Sequence, residues 1–198
     1  MYLDYGLHSV PKQLKQKLQD RIDAIAMPSL VVLGYGLCGN GLNDIEAGKH
    51  TLIIPKADDC VAIFMGSRQR YLDQFNKNPG TYYLTKGWFE VGSDPLSEYK
   101  KLVEKYGADT ADYLMKIQFQ HYKHLVFVAH SQDDFDVYRP QALEIANYCR
   151  QFEMEYTEYL GSEDFIHQIA HVLENQQKIS DQFIVVPPGE TLRQELFR

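Results

Sequence analysis

Two of the three cysteines in this 198-residue chain lie in loops rich in glycine and aspartate. Cys38 belongs to the segment GYGLCGNG, and Cys60 ends the segment PKADDC, 22 residues further on. Thiolates act as nucleophiles and as ligands for thiophilic metals. Asp58 and Asp59, next to Cys60, disfavour a free thiolate but are compatible with a bound cation. These residue types therefore favour a metal site over a bare nucleophile.

The segments that precede the two loops predict that both cysteines lie at one edge of a sheet. LVVLGYG at 30–36 and TLIIP at 51–55 are continuous apolar runs, which are typical of strands buried on both faces of a parallel sheet. One cysteine follows each strand. Because ligands of open α/β sheets bind outside the carboxyl ends of the strands, we expect the two sulfurs at the binding edge. Cys60 is also expected in the first turn of a helix, where backbone N–H groups stabilise a thiolate.

Strands and helices alternate along almost the whole chain. The predicted strands are 30–36, 51–55, 80–85, 124–130, 153–160 and 182–187. The predicted helices are 11–25, 58–75 with a loosened part near Gly66, 95–119 with a break near Gly107, 140–152 and 162–174. Alternation with buried strands implies parallel pairing through right-handed crossovers. We therefore predict an α/β fold, doubly wound, with a mostly parallel sheet of about six strands, helices on both faces, and a single domain over 1–198.

Composition and charge exclude several classes of protein. The net charge is −7, and no Lys/Arg stripe could follow a phosphate backbone, which argues against nucleic acid and anionic membranes as partners. The apolar runs are far shorter than the ~20 residues of a membrane span, and the N-terminus lacks the order of a signal peptide. Three cysteines without short spacings argue against a secreted disulfide scaffold. We expect a cytoplasmic protein with reduced thiols.

Two cysteines do not complete a site for a thiophilic metal, so at least one further ligand is required. From the residues alone the candidates are His8, His50 and His130. The spacing of the cysteines matches no zinc-finger or zinc-ribbon signature. The competing explanation is that Cys38 and Cys60 are small apolar side chains buried near strand ends, as free cysteines often are.

Three other motifs contain residue types that bind ligands or metals in other proteins. GYGLCGNG has the glycines of a phosphate-binding turn but neither the dinucleotide fingerprint nor the Walker pattern. His167 and His171 stand four residues apart on a predicted helix but lack the glutamate of a zincin, which favours surface histidines. In GTYYLTKGW, Tyr82 and Trp88 are suited to lining a pocket, although adjacent tyrosines of a strand also pack on opposite faces.

Five segments together resemble the uncharacterised DUF1638 family of anaerobic bacteria and methanogenic archaea, and the resemblance runs from His8 to Gly189. The segments are GLHSVPKQLKQKLQDRID, YGLCGNG, PKADDCVAIFMGS, GTYYLTKGW and FIVVPPG. The residues that match recurrent positions of the family are His8, Cys38, Asp59, Cys60, Gly66, Ser67, Tyr82, Thr85 and Trp88. Genes of this family tend to accompany corrinoid-dependent methyltransferases of the trimethylamine or betaine type. The resemblance thus implies anaerobic one-carbon, methylamine or corrinoid-linked metabolism, which is an association and not a mechanism.

Residues and resemblance together predict a metal-binding protein whose site lies at the carboxyl ends of the strands. The expected ligands are His8, Cys38 and Cys60, and the expected metal is zinc or iron, because two thiolates and an imidazole suit either. Asp59 is the candidate catalytic residue, as a proton acceptor or as a group that orients a ligand.

The substrate is expected to be a small molecule surrounded by Tyr82, Thr85 and Trp88, and whether the protein is an enzyme is left open. The alternative hypothesis is a non-catalytic accessory module that binds a corrinoid, a metal, a corrinoid protein or a corrinoid methyltransferase. The leucine and phenylalanine residues of the C-terminal segment VVPPGETLRQELF also suggest a contact with a second copy of the chain, and hence a homo-oligomer.

Overall fold

The computed structural model of the protein describes residues 10–174 and 181–197. These residues form two compact units, each with its own three-stranded sheet and its own hydrophobic core. The first unit contains 10–69, 163–174 and 181–197, and the second is Arg70–Ser162. A single domain over 1–198 stays a prediction.

Eight α-helices follow one another in the described residues. They are α1 (Pro11–Asp23), α2 (Val61–Phe64), α3 (Arg68–Lys77), α4 (Lys86–Val91), α5 (Pro95–Tyr106), α6 (Ala108–Phe119), α7 (Gln132–Cys149) and α8 (Asp164–His171). The expected interruptions are present. Gly66 separates α2 from α3, and Gly107 separates α5 from α6, both with positive φ, a conformation that glycine adopts without steric cost. None of the helices in the described part of the chain is long and apolar enough to cross a membrane.

The sheet of the first unit has the strand order β1-β2-β6, with β1 at Leu30–Val32, β2 at Thr51–Pro55 and β6 at Phe183–Val186. β1 and β2 are parallel, so the loops that follow them start at the same edge. β6 runs antiparallel to β2, with Leu52 opposite Val186. This last strand therefore enters from the opposite end, which the alternation of strands and helices did not predict.

The sheet of the second unit has the order β3-β4-β5 and is entirely parallel, with β3 at Thr81–Leu84, β4 at His124–Ala129 and β5 at Glu155–Leu160. The α/β class is thus confirmed, and three of the four strand pairings are parallel. The predicted doubly wound sheet of six strands is wrong, because the strands divide into two sheets of three. Apolar periodicity identifies a buried strand but carries no information about which strand lies beside it.

The core of the first unit explains why the C-terminal segment stays with its own chain. Leu192 and Phe197 are fully buried, together with the apolar face of α1 and residues of β2. The backbone adds hydrogen bonds, since Leu192 N–H donates to the carbonyl of Ile45 at 2.8 Å. These two side chains are thus buried within the chain, whereas Leu196 of the same segment is exposed, and a homo-oligomer stays a prediction.

Two helical segments differ from the sequence-based expectation. α7 begins at Gln132 and not at Pro140, with the hydroxyl of Ser131 accepting the N–H of Asp134 as an N-cap. Pro140 lies inside this helix, a position that normally disfavours continuation. The loop expected after β3 contains the short helix α4, whose end is marked by Gly92 with a left-handed backbone.

Candidate metal centre

Cys38, Asp59 and Cys60 come together in the first unit, after the carboxyl ends of β1 and β2. One possible ligand atom from each residue, two Sγ atoms and one carboxylate oxygen, lies within 4.8 Å of the other two. All three side chains are half-buried. The expectation that the two cysteines would share one edge of the sheet is confirmed by this distance.

Backbone contacts hold the two loops against each other. Leu37 N–H donates to the carbonyl of Ala57 at 2.8 Å, and Cys38 N–H donates to the carbonyl of Asp58 at 3.3 Å. Gly36 makes this approach possible, because a Cβ at this position would lie 2.8 Å from Cys60 N, closer than real Cβ atoms come to other atoms. The absence of a side chain at Gly36 therefore sets the separation of the loops that carry the two thiols.

The turn around Cys38 has an unusual backbone. Cys38, Gly39 and Asn40 have φ values of 42°, 61° and 66°, so three consecutive residues adopt a left-handed conformation. Glycine and asparagine tolerate this region, but for cysteine it costs about 1 kcal/mol. The Cys38 side chain thus leaves a tight turn whose next two residues share its backbone conformation.

The two aspartates next to Cys60 have different roles. Asp58 forms an ion pair with Arg68, whose Nη2 lies 3.0 Å from the carboxylate and also donates to the carbonyl of Phe197 at 2.8 Å. Asp59 accepts the N–H of Val61, the first residue of α2, through Oδ1 at 2.9 Å. Cys60 occupies the N-cap position of α2. Since Asp58 is paired with a cation of the chain, Asp59 is the carboxylate that belongs to the thiol cluster.

The neighbours of Cys60 disfavour its thiolate in the metal-free protein. A hydrogen bond with Cys38 and the burial of the side chain raise the pKa of the Cys60 thiol well above its usual value, and the negative charge of Asp59 raises it further. The position near the start of a helix does not override these effects, and the sequence itself predicted that the neighbouring aspartate disfavours the thiolate. A divalent cation would reverse them, because its charge stabilises thiolate and carboxylate together.

The histidines do not join this cluster within the described residues. His8 lies outside them. His50 is buried and lies directly before β2, at the end of the strand opposite to the loop that carries Asp59. The two ends of this five-residue strand are ~16 Å apart. His130 follows β4 in the second unit. The structure thus removes His50 as a ligand of this cluster and brings in Asp59, which the sequence predicted only as a proton acceptor or orienting group.

The three predicted substrate-binding residues belong to the second unit. Tyr82 packs edge-on against Phe119 and Tyr122, with ring centroids 5.5 Å apart in each pair, and burial raises its pKa. Thr85 is 3% exposed, and its Oγ1 has no hydrogen-bond partner among the described residues. Trp88 lies in α4 and is half-buried. Tyr82 is thus part of an aromatic core, and a role in substrate binding stays a prediction for all three.

The remaining cysteine and the paired histidines have simpler surroundings. Cys149 is fully buried at the end of α7, and burial raises the pKa of its thiol to about 12. His171 lies 2.8 Å from Glu174, and His167 lies 3.5 Å from Glu163, on the exposed surface of α8. These pairs agree with the preference for surface histidines over a zinc clasp.

The donor set of the cluster suits a thiophilic divalent cation. Two sulfurs and one carboxylate oxygen are common ligands of zinc and are also compatible with ferrous iron. A separation of up to 4.8 Å is larger than the ~3.8 Å between two sulfurs that bind one tetrahedral zinc, so a small inward rotation of the side chains is needed. The sequence did not single out Gly36, because its close contact with the backbone of Asp59 and Cys60 is a tertiary contact.

Comparison with known proteins gives a family but no activity. Residues 2–169 match a family model described as "Protein of unknown function (DUF1638)". The match contains both cysteine loops and the whole second unit, and β6 lies beyond it. No curated protein and no solved structure matches the chain.

Proposed function

This chain belongs to the DUF1638 family, and from that premise we propose that it is a metal-binding protein in which Cys38, Cys60 and Asp59 hold one zinc or ferrous ion. The observation that carries the proposal is the convergence of three ligand atoms within 4.8 Å, from two loops that are distant in sequence. Burial of two cysteines as small apolar side chains would not by itself place both of them next to a carboxylate.

The electrostatic surroundings of the two thiols support a bound cation. In the metal-free state Asp59 and the sulfur of Cys38 make a charge on Cys60 unfavourable. Removal of the thiol protons becomes favourable when a divalent cation lies between the three groups. The acidic surroundings, which are adverse for a thiol nucleophile, are thus suited to a cation.

A further ligand, His8, is proposed from the sequence of the segment that precedes α1. Pro11 Cα and the carbonyl oxygen of Cys38 both lie within 4 Å of the Cβ position of Gly41. His8 lies three residues before Pro11 in the sequence and outside the described residues. We include His8 as the fourth protein ligand of a structural site, or as the third of a site in which Asp59 acts as the proton acceptor.

When bound, zinc would supply Lewis acidity toward a thiol, a water or a substrate oxygen. The chain itself would supply the fixed separation of the two loops, a half-buried setting, and a carboxylate that can hold a proton at Asp59. The substrate class proposed is a small molecule of corrinoid-linked one-carbon or methylamine metabolism, with Tyr82, Thr85 and Trp88 around it. This setting rests on the family resemblance alone.

Metal analysis of protein purified without oxygen tests the proposal. About one equivalent of zinc or iron is expected in the wild type, and a large loss in folded Cys38→Ser and Cys60→Ser. Cys38→Gly is the sharper variant, because glycine suits the left-handed backbone at 38 and removes the sulfur without a folding penalty. Cys149→Ala is the matched control, since it removes a thiol remote from the cluster. Absence of metal in the wild type after separate additions of zinc and of ferrous iron would refute the proposal.

One further measurement distinguishes a non-catalytic accessory module from an enzyme. Zinc-loaded protein that retains a corrinoid or a corrinoid protein at a fixed stoichiometry, without turnover of methylated amines, would identify a binding module. Turnover lost in Asp59→Asn, with metal content kept, would identify an enzyme in which Asp59 moves a proton.

A further inference from the structure

We infer that Cys38 and Cys60 form a dithiol pair that small disulfides oxidise reversibly to an intramolecular disulfide. The second part of the inference, that this modification and metal binding exclude each other, rests on the proposed function. The first part stands on the position of the two sulfurs and does not require a metal.

Separation of the sulfurs is the first observation. The two Sγ atoms lie within 4.8 Å, and a disulfide requires about 2.05 Å, so they must approach by at most ~2.8 Å. Rotation about χ1 moves each Sγ by an amount of this order. The backbones already touch, since Cys38 N–H donates to the carbonyl of Asp58, two residues before Cys60. Closure therefore needs side-chain rotation and no rearrangement of the sheet.

Access is the second observation. Cys38 and Cys60 are half-buried, whereas Cys149 is fully buried. A small disulfide reaches the pair and does not reach Cys149. Because a carboxylate lies beside the pair, a neutral oxidant is expected to react faster than an anionic one.

The reaction balances without a further reactant. One protein thiol loses its proton and attacks a sulfur of the small disulfide, which forms a mixed disulfide and releases one small thiol. Because the neighbouring carboxylate of Asp59 disfavours the thiolate, this step is slow at neutral pH and its rate is expected to increase with pH. The second protein thiolate then attacks the protein sulfur of the mixed disulfide and releases the second small thiol. Two electrons pass from the protein to the small disulfide, and the two thiol protons of the protein are found on the two released thiols.

Loss of both thiolates removes the two sulfur ligands, because a disulfide sulfur carries no charge and binds zinc poorly. Conversely, a bound cation holds both thiolates apart and lowers their nucleophilicity. The metal content of the site would then depend on the thiol–disulfide balance of its surroundings.

The experiment treats metal-free protein with 2-hydroxyethyl disulfide, a neutral probe, and then alkylates the remaining thiols in denaturant before mass analysis. The expected product has one alkylated cysteine, Cys149, and a linked pair of peptides that contain Cys38 and Cys60. Dithiothreitol should return three alkylated cysteines. Stable adducts of the probe on Cys38 or Cys60, or three alkylated cysteines after long exposure, would overturn the inference.

Two glycine variants separate proximity from general reactivity. Gly36→Ala pushes the loops apart and should slow formation of the internal disulfide at least tenfold. Gly34→Ala is the matched control, because a Cβ there meets only the side chain of Ile169 at 3.7 Å, an ordinary contact. Equal rates in the two variants would count against the assigned geometry.

Saturating zinc tests the coupling. We expect at least tenfold protection of the pair against the probe, and no zinc uptake by the oxidised protein. Disulfide formation in a protein that binds no zinc would refute the proposed function and leave the dithiol intact. Zinc binding without disulfide formation would refute the dithiol and leave the proposed function, and zinc binding without protection would refute the coupling.

Discussion

The loops after β1 and β2 and the loops after β3 and β4 occupy equivalent places, at the carboxyl ends of parallel strands, but their polar groups differ in kind. In the second unit the charges are paired within the chain. Lys86 lies 3.4 Å from Asp134, and the N–H of Asp134 is capped by Ser131. In the first unit Asp58 has Arg68, but Asp59 faces two thiols and no cation of the chain among its described neighbours.

This difference explains why the proposal assigns the cation to the first edge. A site whose charges are already neutralised gains little from a cation, whereas a carboxylate with two adjacent thiols gains much. Position at the carboxyl end of a parallel strand is therefore not sufficient to predict a cation site. The two edges differ in whether their carboxylates are paired with cationic side chains of the chain.

The largest effect is expected for removal of a sulfur from the first edge. Cys60→Ala should weaken zinc binding by at least ~100-fold, since even residues that only support metal ligands are worth 10–100-fold. Competition with a chromophoric chelator measures the affinity. Cys149→Ala should leave it unchanged, and an equal loss in both variants would show that the effect comes from folding.

A strong dependence on pH is the next expected effect. Zinc binding must remove the proton of Cys60, and because the pKa of this thiol is raised, the protonated form prevails at neutral pH. Affinity should therefore increase with pH, by about tenfold per pH unit for this proton alone, and the increase should continue above the usual thiol pKa. A flat profile between pH 6 and 8 would mean that Cys60 is not a ligand.

Gly36→Ala should have an intermediate effect, on stability and on the site together. The added methyl group meets the backbone of Asp59 and Cys60, so we expect a destabilisation of about 1–3 kcal/mol and an approximately tenfold weaker zinc affinity. Chemical denaturation of the metal-free protein measures the first quantity. Gly34→Ala should stay within about 0.5 kcal/mol of the wild type.

The smallest effect is expected at the second edge. Thr85 buries a hydroxyl without a hydrogen-bond partner among the described residues, so Thr85→Val should be neutral or should stabilise the fold by up to about 1 kcal/mol. Thermal unfolding tests this. A clear destabilisation would show that Oγ1 is hydrogen-bonded in solution, and unchanged stability with loss of substrate binding would support the predicted role of Thr85.

Much of the local structure was predictable because it depends on neighbours in sequence. The apolar run of β2, the amphipathic pattern of α1 and the glycine interruptions at 66 and 107 all lie where the pattern places them. The start of α7 was predicted wrongly. Pro140 suggested the first turn of the helix, but the N-cap at Ser131 and the packing of Phe135 place the start of the helix earlier. A proline inside a helix is stable only when packing compensates for the lost hydrogen bond.

By itself the sequence determined the α/β class and the placement of Cys38 and Cys60 after consecutive strands, because these follow from periodicity and residue type. The family resemblance came from five matching segments. Only the tertiary structure decided that the strands form two sheets, that β6 returns antiparallel, and that Asp58 pairs with Arg68 while Asp59 joins the thiols. Each of these depends on contacts between residues that are distant in sequence. Strand pairing, the approach of two backbones at Gly36 and the neutralisation of a charge have no signature in a single segment.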